Sequence, residues 1–364
     1  MKNHFVPQLL LDYWNCGKKK GKEKINVFDK NKMEVRRNQT ISEVFFGNNI
    51  LRDPVEKKIF AEIIEGSAAT VVKKIVTGDF NIISEDLSTL HTFIWSLYNR
   101  TLASSKIANE CGNSSWKLIA QKALCLNGLN PAEASSLEFI FKDDNALSEN
   151  IINVLPLAKI LGDLEYHIIK NETSSEFYIS DHPVFIYNWF YRDLEHRQVI
   201  SITATGLQIF LPLSPKITLC LYDPKVYKYG NKSSVTCISN NSDIEILNSF
   251  QVINSNSIIG FSLIESELNI KQLYEKYKNI KLHQPESRIL STNNEDKGKI
   301  ISMQLHQIIR QHKLEKMPSF IKIKKRAKGG VSFYQERNPE LAAKYIEYAK
   351  FIKMRRQRSI IELD

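Results

Sequence analysis

The chain has 364 residues, 43% hydrophobic and 25% charged, which suits one large folded domain or two ordinary ones and excludes a disordered polymer. No apolar run is long enough to cross a bilayer, and the opening LLL is too short, and too quickly followed by Asp12 and lysines, for a secretion signal, so a cytoplasmic protein is expected. The net charge of +10 is uneven: residues 316–364 hold thirteen Lys/Arg and five Asp/Glu (+8), the remainder 37 and 35 (+2). A basic segment of that kind is the footprint of a polyanion partner.

Along the chain, Ile25-Asn26-Val27-Phe28 reads as a short strand entered through the basic run at 18–24. Asp53-Pro54 opens a helical region, with Val55, Ile59, Ile63 and Ile64 and then Val71, Val72, Ile75 and Val76 at helical spacing. The clearest helix is SEDLSTLHTFIWSLYNRT. Ser84 is its expected N-cap; Leu87, Leu90, Ile94 and Leu97 form one face, and Arg100 flanks that face at the far end. Further helix is expected over 115–126, 131–141 and 146–161. After Gly162 the texture changes. LEYHIIK and EFYIS around NETSS read as a hairpin, and VFIYNWF, GLQIFLPL, KITLCLY and SIIGFSLI as further strands. Residues 266–315 return to helical patterns. The last element begins Asn338-Pro339-Glu340, a cap, a first-turn proline and an acid suited to a helix start.

The fold class expected is α+β, with a helical first half, an antiparallel β-rich second half and a helical C-terminal extension. The predicted boundaries are a core over 1–315 (helical 53–161, β-rich 162–264, helical 266–315) and a basic extension over 316–364.

Nucleotide signatures such as GxxxxGK[ST] and GxGxxG are absent, as are HExxH and GxSxG. Five widely spaced cysteines make neither a disulfide framework nor a CxxC metal motif. Two motifs stand out. In HFVPQ, Pro7 locks the backbone and apolar neighbours bury it, which fixes His4 and Gln8. In FYISDHPV, Ser180 and Asp181 end a strand and Pro183 holds His182 extended.

HFVPQLLLDYW, INVFDK, WSLYNRT, FYISDHPV, LPLSPKITL and ILNSF occur in an order that resembles the bacterial domain-of-unknown-function family 4238 over roughly residues 4–264. The resemblance picks out Arg100, Ser180, Asp181, Pro183 and Asn248. It puts His182 where the family more often has Asn, so His182 is not expected to be essential. It implies a setting in host–phage conflict, as a defence effector or toxin, and supplies no mechanism.

His4, Gln8, Arg100, Asp181 and Asn248 are polar residues at motif positions, and the fold is expected to bring them to one site. The leading expectation is a metal-independent ribonuclease with no cofactor. His4 acts as general acid or base, Asp181 orients its ring, and Arg100 offsets charge on the phosphorane-like transition state. Gln8, Ser180 and Asn248 hold substrate. Lys322, Lys324, Lys325, Arg326, Lys328, Lys353, Arg355, Arg356 and Arg358 contact phosphates, and Tyr334, Tyr345 and Phe351 stack on bases. The partner is nucleic acid, RNA before DNA; a second copy or a regulatory partner stays open. The rivals are a metal-dependent nuclease with Asp181 and His4 as ligands and Asp163 or Glu165 recruited as a further carboxylate, a non-catalytic nucleic-acid sensor, and an enzyme that consumes a dinucleotide cofactor.

Overall fold

A computed structural model describes residues 2–19, 22–48, 55–137, 153–194, 199–230, 233–294, 300–330 and 333–361. The chain begins with β1 (Lys2–His4) and the short helix α1 (Gln8–Leu11), which Pro7 starts. Then come β2 (Gly17–Lys19), β3 (Lys22–Asp29), β4 (Glu34–Thr40) and β5 (Phe46–Asn48). β5 pairs antiparallel with β1, so the N-terminal segment is stitched down; Phe5, Val6, Leu10 and Leu11 are buried behind it.

A helical stretch, Val55–Glu65, runs into α2 (Gly66–Val76), followed by α3 (Ser84–Asn99) and α4 (Leu102–Leu126). α3 buries Leu90, Phe93, Ile94 and Leu97, one stripe of a 3.6-residue period. Full burial of such side chains gives about 1.5–3 kcal/mol each as an upper value. Ser84 is not its cap. Asp86 reaches back to the Ile83 N–H (3.3 Å) and is held by Lys74 (2.8 Å). Thr101 separates α3 from α4 and caps the latter, its Oγ1 accepting from the Ser104 N–H at 3.3 Å. That cap starts α4 well before residue 115. α5 (Pro131–Ser136) is shorter than the expected 131–141, and the expectation for 138–152 lies outside the described residues.

The second half holds β6 (Glu165–Asn171), β7 (Ile179–Ser180), β8 (Phe185–Tyr187), β9 (Gln208–Ser214), β10 (Ile217–Tyr222), β11 (Tyr227–Tyr229) and β12 (Val235–Ile238). These lead into α6 (Asn241–Asn254) and β13 (Ile258–Phe261). One five-stranded sheet runs β12-β6-β10-β9-β8; a second runs β2-β3-β13-β7, with β4 also on β3. β9 and β10 are buried at every position, which is why they read as unbroken apolar runs. β6 and β7 are not a hairpin as expected. β6 pairs with β10 and β12 in the first sheet, and β7 pairs with β13 in the second. Gly260 in β13 permits this packing, because a Cβ there would meet Ile25, Phe45 and Ile179 at 2.9–3.1 Å.

Among the described residues of 266–315, only α7 (Ser266–Tyr277) is helical. They continue as a long antiparallel hairpin, β14 (His283–Asn294) with β15 (Ile300–Gln311). The overlooked signal is strict alternation in Ile301-Ser302-Met303-Gln304-Leu305-His306, a two-residue period.

The extension does not stand apart at 316. β16 (Ile321–Ile323) pairs with β11, and Phe320 and Ile321 join the core. Arg337 is buried. It donates to Asp163 at 2.8 and 2.9 Å and to the carbonyls of Ile160, Ile202 and Ala204 at 3.0–3.2 Å. Only then does α8 (Pro339–Ile361) begin, capped by Asn338 as expected. The fold is α+β, and among the described residues no helix is long and apolar enough to cross a membrane.

Candidate functional site

The six core positions predicted for the site sort into two groups by the partners they keep. His4, Gln8 and Arg100 form the first. The Gln8 amide nitrogen lies 3.1 Å from His4 Nε2. Arg100, 2% exposed in its side chain, ends α3 beneath the N-terminal segment. It donates to the carbonyls of His4 (2.6 Å) and Phe5 (3.1 Å) and to Glu65 (2.5 Å), with its guanidinium over the Phe60 ring. These contacts make Arg100 a tether, not a group free to meet a transition state.

Ser180, Asp181 and Asn248 form the second group, and their chemistry is also internal. The segment from Glu176 to Val184 is buried yet has little strand pairing, so its backbone needs other partners. α6 supplies them from one face, through amides spaced three residues apart. Asn248 accepts from the Tyr178 N–H and donates to the Glu176 carbonyl, both at 2.9 Å. Gln251 accepts from the Ser180 N–H (3.0 Å) and Oγ (2.9 Å) and donates to the Pro183 carbonyl (2.9 Å). Asn254 donates to the carbonyls of His182 and Val184. An amide carries one acceptor and two donor hydrogens, so it can imitate a neighbouring strand. Asp181 accepts from the N–H groups of Asn256, Ser257 and Ile258 and from the Ser257 hydroxyl, at 2.7–3.1 Å. Burial raises its carboxyl above the ordinary value, against the pull of those four donors. It shapes the entry to β13 and is not spare to orient a histidine.

The other predicted residues divide similarly. Lys322, Lys325, Arg326 and Lys328 are exposed, whereas Lys324 donates to the Pro224 carbonyl. The side chains of Lys353, Arg355, Arg356 and Arg358 lie outside the described residues. Tyr334 packs on Tyr191 and Tyr345 on the core, so of the three stacking candidates only Phe351, 52% exposed, faces outward. Asp163 serves Arg337 and Glu165 accepts from Tyr222 (2.9 Å), so neither is spare for a metal. Among the described residues no three His, Cys, Asp or Glu side chains converge as a metal ion would need.

An open position lies one residue beyond Asp181. A cleft of about 240 Å³ is walled by α4, by the end of α6 and by the approach to β14. His182 and His283 line it, 1% and 4% exposed, and Nε2 of each is buried with no hydrogen-bond partner among the described residues. His182 is fixed on its other side: Nδ1 meets Thr101 Oγ1 at 2.6 Å, and Tyr98 lies 5.0 Å away, ring centre to ring centre. His283 is held through the Ile186 backbone. Burial pushes His182 down to about 3, helped by its proximity to His283, and pushes His283 down to about 4, so both are neutral. Lys30, Lys106 and Lys281 supply positive charge around them, and Glu110 a negative charge. An isolated buried nitrogen calls for an explanation; two such nitrogens, on two residues that line one cleft, mark it as the candidate site.

The sequence matches the family described as protein of unknown function (DUF4238) over residues 2–263, well over half of the chain. The chain belongs to the DUF4238 family. No functionally curated protein and no solved structure matches it significantly. The DUF4238 region contains both polar groups and most of the cleft, including Lys30, α4 and His182; Lys281 and His283 lie beyond it. The cleft therefore joins the family's core to a later segment of this chain. Sequence reasoning set His182 aside because the DUF4238 pattern favours Asn there, and it missed His283 because that residue sat in a stretch taken for helix. Gln251 and Asn254 were missed, although they repeat the Asn248 amide at i+3 and i+6 on one helix, a spacing legible in the sequence.

Proposed function

We propose that the chain cleaves RNA without a metal ion and that His182 and His283, not His4, perform the proton transfers. The observation that carries this reading is that His182 and His283 line one lysine-rimmed cleft and that each keeps a buried Nε2 without a hydrogen-bond partner among the described residues. One imidazole takes the proton of the ribose 2′-hydroxyl. The 2′-oxygen then forms a bond to phosphorus, and the bond from phosphorus to the 5′-oxygen breaks. The other ring, as imidazolium, gives its proton to that leaving oxygen. The products are a 2′,3′-cyclic phosphate and a free 5′-hydroxyl.

Neutral rings with depressed pKa values suit this scheme once a phosphate is present. A unit negative charge about 4 Å away, at an effective dielectric constant of about 20, stabilises an imidazolium by about 4 kcal/mol. That is about three pK units, enough to return a ring to the neutral range where it can donate. The exposed Lys322, Lys325, Arg326 and Lys328 would add affinity that is independent of sequence and sensitive to salt. A role as a defence effector or toxin is part of this proposal and rests on the family resemblance alone.

The test is cleavage of total RNA with and without EDTA, comparing wild type with His182→Asn and His4→Ala. Asparagine keeps a short polar side chain in reach of Thr101 Oγ1, which the ring Nδ1 meets at 2.6 Å, so that variant is expected to fold. Cleavage should survive EDTA, fall by about 10²–10⁴-fold in His182→Asn, and remain in His4→Ala. Replacing the ribose at the cut site by deoxyribose should abolish it. Undiminished cleavage by His182→Asn would defeat the proposal, as would intact RNA under every condition.

A further inference from the structure

The three lysines at the cleft are not equally available to an incoming anion. Lys30 is largely buried, and its ammonium group donates to the carbonyls of Val252 (3.2 Å) and Ser255 (2.8 Å) and to the Ser255 hydroxyl (3.0 Å). Those three acceptors use its three hydrogens and close the C-terminal end of α6. Lys106 donates to the Asn256 side-chain oxygen at 2.6 Å. Asn256 is in turn fixed by its N–H to Asp181 (2.7 Å). Lys281 is different. It pairs with Glu110 at 2.7 Å, with side chains 58% and 46% exposed. Exposed pairs of this kind are weak and exchange readily with solvent and ions.

The geometry of α4 makes that pair a bridge across the mouth. Ala103, Lys106, Ile107 and Glu110 fall at i, i+3, i+4 and i+7, so they share the helix face that walls the cleft. Lys281 stands on the opposite wall, two residues before His283. The carboxylate of Glu110 thus occupies, on the cation nearest His283 in sequence, the position an anionic ligand would take.

From this we infer that Glu110 is an intramolecular stand-in for a phosphate group: a phosphate-bearing ligand enters by displacing it from Lys281, and Glu110 thereby sets the affinity of the cleft. The inference rests on the reading of the cleft as a site for RNA phosphate. It assigns Lys281 to direct phosphate contact and Glu110 to competition with the ligand.

The experiment uses the full chain and a short oligodeoxynucleotide, which lacks the 2′-hydroxyl and so binds without being cut. Binding is measured at several salt concentrations for wild type, Glu110→Gln, Lys281→Ala and the double variant. Histidine ring signals are followed by NMR in the same titrations. Glu110→Gln should bind about two- to fivefold more tightly than wild type, because one competitor and one like charge are lost. Lys281→Ala should bind more weakly, with a salt slope smaller by about one. In the double variant the gain from Glu110→Gln should shrink, since without Lys281 there is nothing to compete for. Equal affinity of Glu110→Gln and wild type, with ring signals of both cleft histidines moving on titration, overturns the stand-in role and leaves the cleft reading intact. Ring signals that stay still in every protein overturn both.

Discussion

Replacing Arg100 by Met separates a tether from a catalyst. The change keeps an unbranched side chain of useful length over Phe60 and removes the charge and every donor. Three acceptors lose their partner: the carbonyls of His4 and Phe5, and Glu65, whose side chain is 18% exposed. Breaking a buried ion pair from one side costs about 3–5 kcal/mol, and the partial exposure of Glu65 places its share at the lower end. The two carbonyls add to this, each at about 1–3 kcal/mol if no water reaches it. A loss of about 5–9 kcal/mol in urea unfolding is therefore expected if no water reaches the carbonyls, together with early proteolytic clipping of the N-terminal segment. Glu65→Gln should cost less, about 1–2 kcal/mol, because a neutral acceptor remains for the guanidinium. The double-mutant cycle should show coupling of about 1–3 kcal/mol. If Arg100→Met lost less than about 1 kcal/mol while RNA cleavage vanished, the tether would be refuted and a catalytic role restored.

Two further outcomes follow from buried groups. His91, His167 and His283 are pushed down to about 4 and His182 to about 3, chiefly by burial. Each lies below the unfolded value of about 6.5, so between those limits the unfolded chain binds protons that the folded chain does not, and stability falls as pH drops. The unfolded ring is half protonated at the start of the interval and mostly protonated at its end, so going from about pH 6.5 to about pH 5.5 should cost about 1 kcal/mol per group and about 4 kcal/mol in all. A urea midpoint that stays flat over that interval contradicts the burial of these rings, and His182→Asn should flatten the slope by about a quarter. Arg337→Met should free α8 and the segment before it, with protease sensitivity after about residue 330 and a loss of about 3–5 kcal/mol, because Asp163 is left unpaired and three buried carbonyls lose their donor. Protection equal to wild type would show that the tail is held by something other than Arg337.

The sequence by itself determined the parts of this protein that local chemistry controls. The 3.6-residue stripe of α3, the unbroken apolar runs of β9 and β10, the Asn338-Pro339 start of α8 and the order of the family motifs were all legible, because periodicity, capping and burial act within a few residues. The α+β order followed from the same signals. Strand partners did not. β6 and β7 are neighbours in sequence and belong to different sheets, since pairing is decided by what else competes for each edge. Polar motif residues were legible as unusual and illegible as to use. Arg100, Ser180, Asp181 and Asn248 look alike in the chain whether they face a substrate or a buried backbone, and only the tertiary structure showed that their hydrogen bonds close inward. It alone also brought together His182 and His283, a hundred residues apart and on separate elements, and left one nitrogen of each without a partner among the described residues. Whether a polar atom is satisfied depends on every surrounding element at once, and no window of sequence contains that information.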